Sequence, residues 1–189
     1  MLFSARGYAA VTLKDIAGAL GMRQASLYYH VPGGKEALFI EVTERSFARH
    51  RAGLTAALTS AGPHPRATLV AAARWILLQH IPDLGRMLNS DMPALPEAEA
   101  ARLMRLGFEA LLVPIAGVFA SLPMKPPPKP AAATLYAGAF ISTITSLGNL
   151  PEVFASQPKA AMAEHLVDVF LSGIAAQHPK RGRKRARTA

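Results

Sequence analysis

Cysteine is absent from the 189 residues. That excludes a disulfide framework and any zinc site built on thiolates, and it is compatible with a reducing compartment. The opening MLFSARG lacks a charged segment followed by an apolar one, so no secretory signal is expected and a cytoplasmic location is. Strand patterning is also missing. No segment alternates apolar and polar residues with period two, and no repeat recurs at solenoid periods. The sequence signatures of common enzyme sites, G-x-S-x-G, the P-loop, G-x-G-x-x-G and H-E-x-x-H, do not occur. Six histidines are scattered along the chain. His80 and Asp83 stand three apart without a convergent third ligand, so neither a metal nor a cofactor is expected, and an enzyme is not supported. Net charge is missing from the centre: residues 61–178 carry eight basic and eight acidic side chains.

What remains is basic at both ends. Residues 1–60 carry seven Lys/Arg against four Asp/Glu, and residues 179–189 carry six basic groups and no acid. A basic terminal module on a neutral body suits a polyanion such as DNA, although a solubilising tail gives the same charge pattern. Apolar residues make up 51% and charged residues 17% of the chain, enough apolar material for a true core. Alanine and leucine dominate the apolar set, which favours helices. The expected class is therefore all-α.

Proline and glycine punctuate the chain into candidate helices near 13–20, 23–30, 34–59, 66–80, 84–90, 97–121, 131–148 and 159–177. Pro114 should kink or split the helix it lies in. MKPPPKP, residues 124–130, reads as a stiff extended connector. The tail PKRGRKRARTA has no apolar side chain larger than alanine, cannot bury anything, and is expected to be disordered and to add non-specific DNA affinity. Residues 130–151 carry no charge over a length that can span a bilayer. Thr, Ser, Gly and Asn interrupt them and Pro-marked turns flank them, so a helix buried at a protein–protein interface is the better reading, with no membrane partner.

The informative stretch is TLKDIAGALGMRQASLYYHVPGGKEAL, residues 12–38. Thr12 and Asp15 form an S/T-x-x-D/E pattern, which predicts a reciprocal cap and a helix starting at Leu13. Leu13, Ile16, Ala17 and Leu20 fall on one face. Gly21 comes where a left-handed stop residue is needed. A second short helix follows with Leu27 inward, and either Tyr28 or Tyr29 is expected to help fill the core. Ala17 is small enough to let the two helices cross closely. That arrangement is a helix-turn-helix with its second helix free to enter a major groove.

Gly7-Tyr8, Thr12, Asp15-Ile16-Ala17, Gly21, Leu27-Tyr28-Tyr29-His30 and Lys35-Glu36-Ala37-Leu38 together resemble the N-terminal domain of TetR/AcrR-family transcriptional regulators. The Pro-Gly-Gly before Lys35 is similar to one branch of that family. The resemblance implies phosphate contacts from Thr12 and Lys35, backbone or base-edge contacts from Tyr28 and Tyr29, and base readout by Arg23, Gln24 and Ser26. Ala25 can touch a thymine methyl, and His30 is a further candidate. Arg pairs with guanine and Gln with adenine, in keeping with these roles. Only Met1 to Arg6 precede Gly7, so the family's first helix is expected to be truncated, with Leu2, Phe3 and Tyr8 as its remnant.

The resemblance also divides the chain. Residues 1–45 would be the DNA-binding domain, 46–178 a helical effector-binding and dimerising bundle, and 179–189 the tail. Helices 131–148 and 159–177 would pair across a two-fold axis into a four-helix bundle. The cavity candidates are Trp75, Leu78, His80, Met87, Met92, Leu103, Phe108, Leu112, Tyr136 and Phe140, a set of aromatic, Met and aliphatic side chains suited to an apolar effector, though equally to plain core. The expectation is a homodimeric repressor released from a palindromic operator by a small apolar effector. A constitutive DNA-binding protein, or a helical dimerisation module without specific DNA binding, stays open on the sequence.

Overall fold

A computed structural model describes residues 2–79, 81 and 84–177. The basic tail and the candidates His80 and Asp83 lie outside the described residues. Among these residues the secondary structure is entirely helical, in keeping with an all-α chain. The helices are α1 (Leu2–Arg6), α2 (Leu13–Ala19), α3 (Gln24–His30), α4 (Gly34–Ser60), α5 (Pro65–Leu78), α6 (Leu84–Arg86), α7 (Glu97–Gly107), α8 (Val113–Ala120), α9 (Pro130–Gly148) and α10 (Lys159–Gln177).

Two π turns interrupt this series, Met87–Asp91 directly after α6 and Phe108–Leu112 between α7 and α8. Pro114, at the start of α8, accounts for the second. It has no amide to donate to the carbonyl four residues back, so the ladder must change its step just ahead of it.

Compactness does not follow a linear cut at residue 45. One unit joins residues up to Leu54 with Gln79–Leu111; the other joins Thr55–Leu78 with the residues from Leu112 onward. In the first unit, Val11, Leu13, Ile16, Ala17 and Leu27 form a buried cluster against which Leu2, Phe3, Met22, Val31 and Leu38 pack. Phe39, on α4, receives the Phe3 and Tyr8 rings at 5.1 and 5.0 Å between centroids. The aromatic filling of this core therefore comes from α1, the turn after it and α4. Tyr28 and Tyr29 are both exposed, at 50% and 86%, so neither fills the core as expected. Leu20 is also 63% exposed, because it caps α2 from beyond the last helical residue and leaves the apolar face.

α4 and α7 cross at Gly107, where the Phe47 ring lies so close that a Cβ would meet its Cζ at 2.9 Å. Arg102 of α7 pairs with Glu44 of α4 beside this crossing, and with Glu99 on its own helix.

The second unit is a packed bundle. α9 buries Ala133, Ala137, Phe140, Ile141, Ile144 and Leu147 along one stripe, the 3.6-residue period of a core helix. Phe140 meets Phe119 and Phe170 at 6.0 and 5.7 Å. Pro130–Gly148 is long and apolar enough to cross a membrane. That stripe against α5, α8 and α10 gives its apolar content an internal use. α5 is tied to α10 by a two-pronged Arg66–Asp168 pair at 2.7 and 2.9 Å and by Arg74–Glu164 at 2.5 Å. The Arg66 hydrogen bonds hold the Asp168 carboxyl below its ordinary pKa.

Candidate nucleic-acid interface

The site is built on the turn between α2 and α3. The Asp15 amide donates to the Thr12 hydroxyl at 3.1 Å, the Thr12 amide donates to Asp15 Oδ2 at 2.8 Å, and the hydroxyl proton goes to the same carboxylate oxygen at 2.6 Å. These bonds, with smaller help from Arg6 and Lys14, lower the Asp15 pKa. α2 then ends at Gly21, whose φ of +65° lies in the left-handed region that only glycine adopts without strain.

α3 begins after Arg23, which caps it through backbone alone. Leu27 is its one buried side chain, 4% exposed, and it anchors α3 to the Ile16–Ala17 face of α2. Gln24, Ala25, Ser26, Tyr28, Tyr29 and His30 are all exposed, as is Arg23. The Tyr29 and His30 rings meet edge to face at 5.6 Å. The result is a short helix pinned at a single point that offers two amphipathic rings, an imidazole, an amide, a hydroxyl and a guanidinium on its free surface. Those groups match the donor, acceptor and methyl pattern of a major groove.

Two of the expected phosphate contacts are already engaged. The Thr12 hydroxyl proton is committed to Asp15. The Lys35 ammonium donates to the Tyr8 carbonyl at 3.1 Å and lies 4.2 Å from the centre of the Tyr8 ring. Burial, and then the Glu36 carboxylate, raise the pKa of that phenol. Lys14, exposed in the first turn of α2, and Arg6, exposed at the end of α1, are cations on the same unit that sequence reading passed over. Their only local signal was a basic residue beside a cap.

The Gly7–Tyr8 corner that carries Lys35 is itself held from far along the chain. The Tyr8 amide donates to Asp91 Oδ1 at 2.7 Å. The Arg86 guanidinium donates to the carbonyls of Ser4 at 2.6 Å, Ala5 at 3.1 Å and Phe3 at 3.4 Å. The Ser4 and Ala5 carbonyls are among those that a helix leaves unsatisfied at its C-terminal end, while the Phe3 carbonyl also accepts the Gly7 amide at 2.9 Å.

The expected effector residues are divided between the two units. Trp75, Leu112, Tyr136 and Phe140 belong to the second unit; Met87, Met92 and Phe108 belong to the first. Phe140 is fully buried in the aromatic cluster, with Tyr136 against Phe119 at 5.9 Å. Met92 is buried and Phe108 is 44% exposed. Met87 lines a cavity of about 620 Å³ in the first unit, with Leu2, Phe3, Leu38, Phe39 and Val42 as apolar wall and Arg49, His50, Arg86 and Asp91 as polar groups. Burial, with Arg49 alongside, lowers the His50 pKa. Among the described residues no three His, Asp or Glu side chains gather as a metal site would require.

Residues 1–42 match the family model of the bacterial regulatory proteins, tetR family. No curated protein matches the chain in sequence. Solved structures match its fold. A TetR transcriptional regulator from Legionella pneumophila is 22% identical, with 89% of this chain and 90% of that one covered at a TM-score of 0.68. PfmR, a TetR family transcriptional regulator from Thermus thermophilus, is 23% identical, with 90% and 93% covered at 0.56. AibR, in complex with isovaleryl coenzyme A and operator DNA, is 17% identical, with 89% and 91% covered at 0.68.

Proposed function

We propose that this chain is a TetR-family regulator, a reading that its N-terminal family match and its fold support, and that it is a cytoplasmic homodimeric repressor that leaves a palindromic operator when a small apolar effector binds. The observation that carries the reading is α3, a helix with one buried side chain and every other side chain free. A core helix of a monomer has no reason to leave two tyrosines in water. A groove-reading helix needs them there.

A single α3 reads few base pairs, so a second copy is part of the proposal. Its support is the outer face of α9 and α10. Ala131, Leu135, Ala139, Ser142 and Ser146 repeat along α9 and are exposed, and Ala161, His165, Val169 and Ser172 do so along α10. These stripes are nearly uncharged and carry small side chains that let helices approach closely. Leu135 at 68% and Val169 at 53% exposure are apolar surface that a two-fold four-helix bundle would cover.

For the effector, the cavity lined by Met87 has a volume within the range of about 300–1,000 Å³ that small-molecule sites occupy. Its largely apolar wall, with Arg49 and the Arg86–Asp91 pair as its charged groups, suits a small apolar molecule. The AibR complex with isovaleryl coenzyme A and operator DNA supports a fold that takes both an effector and DNA. The effector acts by favouring one of two conformations, so that the α3 helices of the dimer no longer match the half-site spacing.

The test is fluorescence anisotropy on labelled duplex DNA taken from immediately upstream of the chain's own gene, beside a scrambled duplex, near physiological salt. The expected result is binding to the native duplex at least about a hundredfold tighter than to the scrambled one. Equal weak binding to both, and to neighbouring intergenic duplexes, would refute a sequence-specific repressor.

A further inference from the structure

We propose that Arg86 and Asp91 are positioning residues for DNA binding. From the end of α6 and the π turn that follows it they fix the Gly7–Tyr8 corner, and through Tyr8 they set where the Lys35 ammonium stands to meet a backbone phosphate. This inference rests on the DNA-binding reading above.

The π turn is what brings the pair together. Five residues of regular α-helix rotate the chain by about 500°, leaving residues five apart about 140° away from one another. In the wider turn over Met87–Asp91, the Met92 amide donates to the Met87 carbonyl five residues back. Residues five apart then fall on one side, and Arg86 and Asp91 stand 3.8 Å apart as an ion pair. Asp91 is 2% exposed, so its carboxylate is held where water does not compete.

The two side chains divide the work. Arg86 takes the carbonyls that end α1, and Asp91 takes the Tyr8 amide one residue past Gly7. Gly7 is cut to this fit. Its φ is +79°, and a Cβ there would meet Asp91 Oδ1 at 3.0 Å and Arg86 at 3.4 Å. Tyr8 carries the position onward by its carbonyl and its ring, both of which face Lys35.

The line from Asp91 through Tyr8 to Lys35 thus joins a segment about eighty residues away to a cation at the start of α4. Arg86 and Asp91 also line the cavity beside Met87. A molecule that enters it touches the pair directly. Reversion of the π turn to α geometry would rotate Asp91 relative to Arg86 by about 140° and release the Tyr8 amide.

A double-mutant cycle on the full chain tests this, read by anisotropy on the same duplexes with helicity checked by circular dichroism. Asp91→Ala and Lys35→Ala are each expected to weaken binding by about tenfold. Lys35→Ala should also reduce the log–log salt slope by about 0.9, one phosphate contact, and Asp91→Ala should do the same. The double variant should bind no more weakly than Lys35→Ala alone. Additive losses, an unchanged salt slope in Asp91→Ala, or wild-type affinity in that variant would each overturn the proposal. Should Asp91→Ala not fold, Arg86→Met in the same cycle carries the test by the same criteria. Equal binding of the wild type to native and scrambled duplexes would overturn the repressor reading alone. A phosphate contact needs no base sequence, so the cycle is read on either duplex.

Discussion

Replacing Gly107 by alanine and replacing Gly117 by alanine are the same chemical change, and the structure gives them opposite signs. Both glycines lie in helical backbone with ordinary φ. In each place alanine should gain about 0.8–1 kcal/mol of helix propensity. At Gly117 a Cβ meets nothing within 4 Å, so that gain stands. At Gly107 the new Cβ meets three atoms of the Phe47 ring, at 2.9, 3.2 and 3.3 Å. Phe47 is 2% exposed, so the ring has nowhere to swing. Overpacking of this kind costs about 1–3 kcal/mol. The two variants should therefore differ in stability by about 1–3 kcal/mol, with Gly117→Ala above the parent and Gly107→Ala level with it or below. At about 2–4 °C per kcal/mol for a chain of this size, thermal midpoints should separate by several degrees. Circular dichroism melts and urea titrations of the three proteins measure this. Equal stabilisation by both substitutions would mean that α7 can move off α4 without cost, and the packing argument at that crossing would fail.

Two further predictions concern α3 and the buried histidine. Leu27→Ala removes the single anchor of α3 and should cost about 2–5 kcal/mol in urea unfolding, whereas Tyr29→Ala, at an exposed position, should change stability by less than about 0.5 kcal/mol yet weaken binding to the native duplex. The reverse pattern would show that Tyr29 packs and Leu27 does not. His50 titrates below its ordinary value of 6.5 because burial disfavours the charged ring. The unfolded chain then takes up the proton first. Its contribution to stability is complete above pH 6.5 and is lost as pH falls from there through the lowered folded value. Urea midpoints measured from about pH 7.5 down to about pH 5 should decline in the wild type and decline less in His50→Gln. Parallel curves would remove His50 from the account.

The local features of the interface could be read from the sequence because their partners are close in the chain. The Thr12–Asp15 cap spans three residues, Gly21 stops the helix it follows, and Leu27 lies six residues beyond it. Each rule behind them is a spacing rule. The π turns, and the hold that Arg86 and Asp91 exert on α1, were not legible. Nothing in a spacing of five residues marks a pair as facing one way unless the helix has already changed its step, and the carbonyls and amide they meet lie more than eighty residues away. Tyr28 and Tyr29 were misjudged for a related reason. The rings that fill the core near them, Phe3, Tyr8 and Phe39, come from elements on either side of the helix-turn-helix. Lys35 was recognised as a cation near the interface, but its engagement by Tyr8 depends on how a turn folds back, which composition does not encode.

Because residues 79–111 belong with the first 54, the unit that holds the helix-turn-helix is not finished when its own motif has been synthesised. A nascent chain displays α2, α3 and the start of α4 while the groups that secure α1 still lie ahead in the translated message. Until Arg86 and Asp91 emerge, the Gly7–Tyr8 corner lacks the partners of its backbone groups, and the cluster around Ile16 and Leu27 is covered by α1 without a lock. Folding of this unit therefore waits on the synthesis of a later part of the chain, and a nascent chain released after α4 leaves the ribosome with α3 but without the hold on α1.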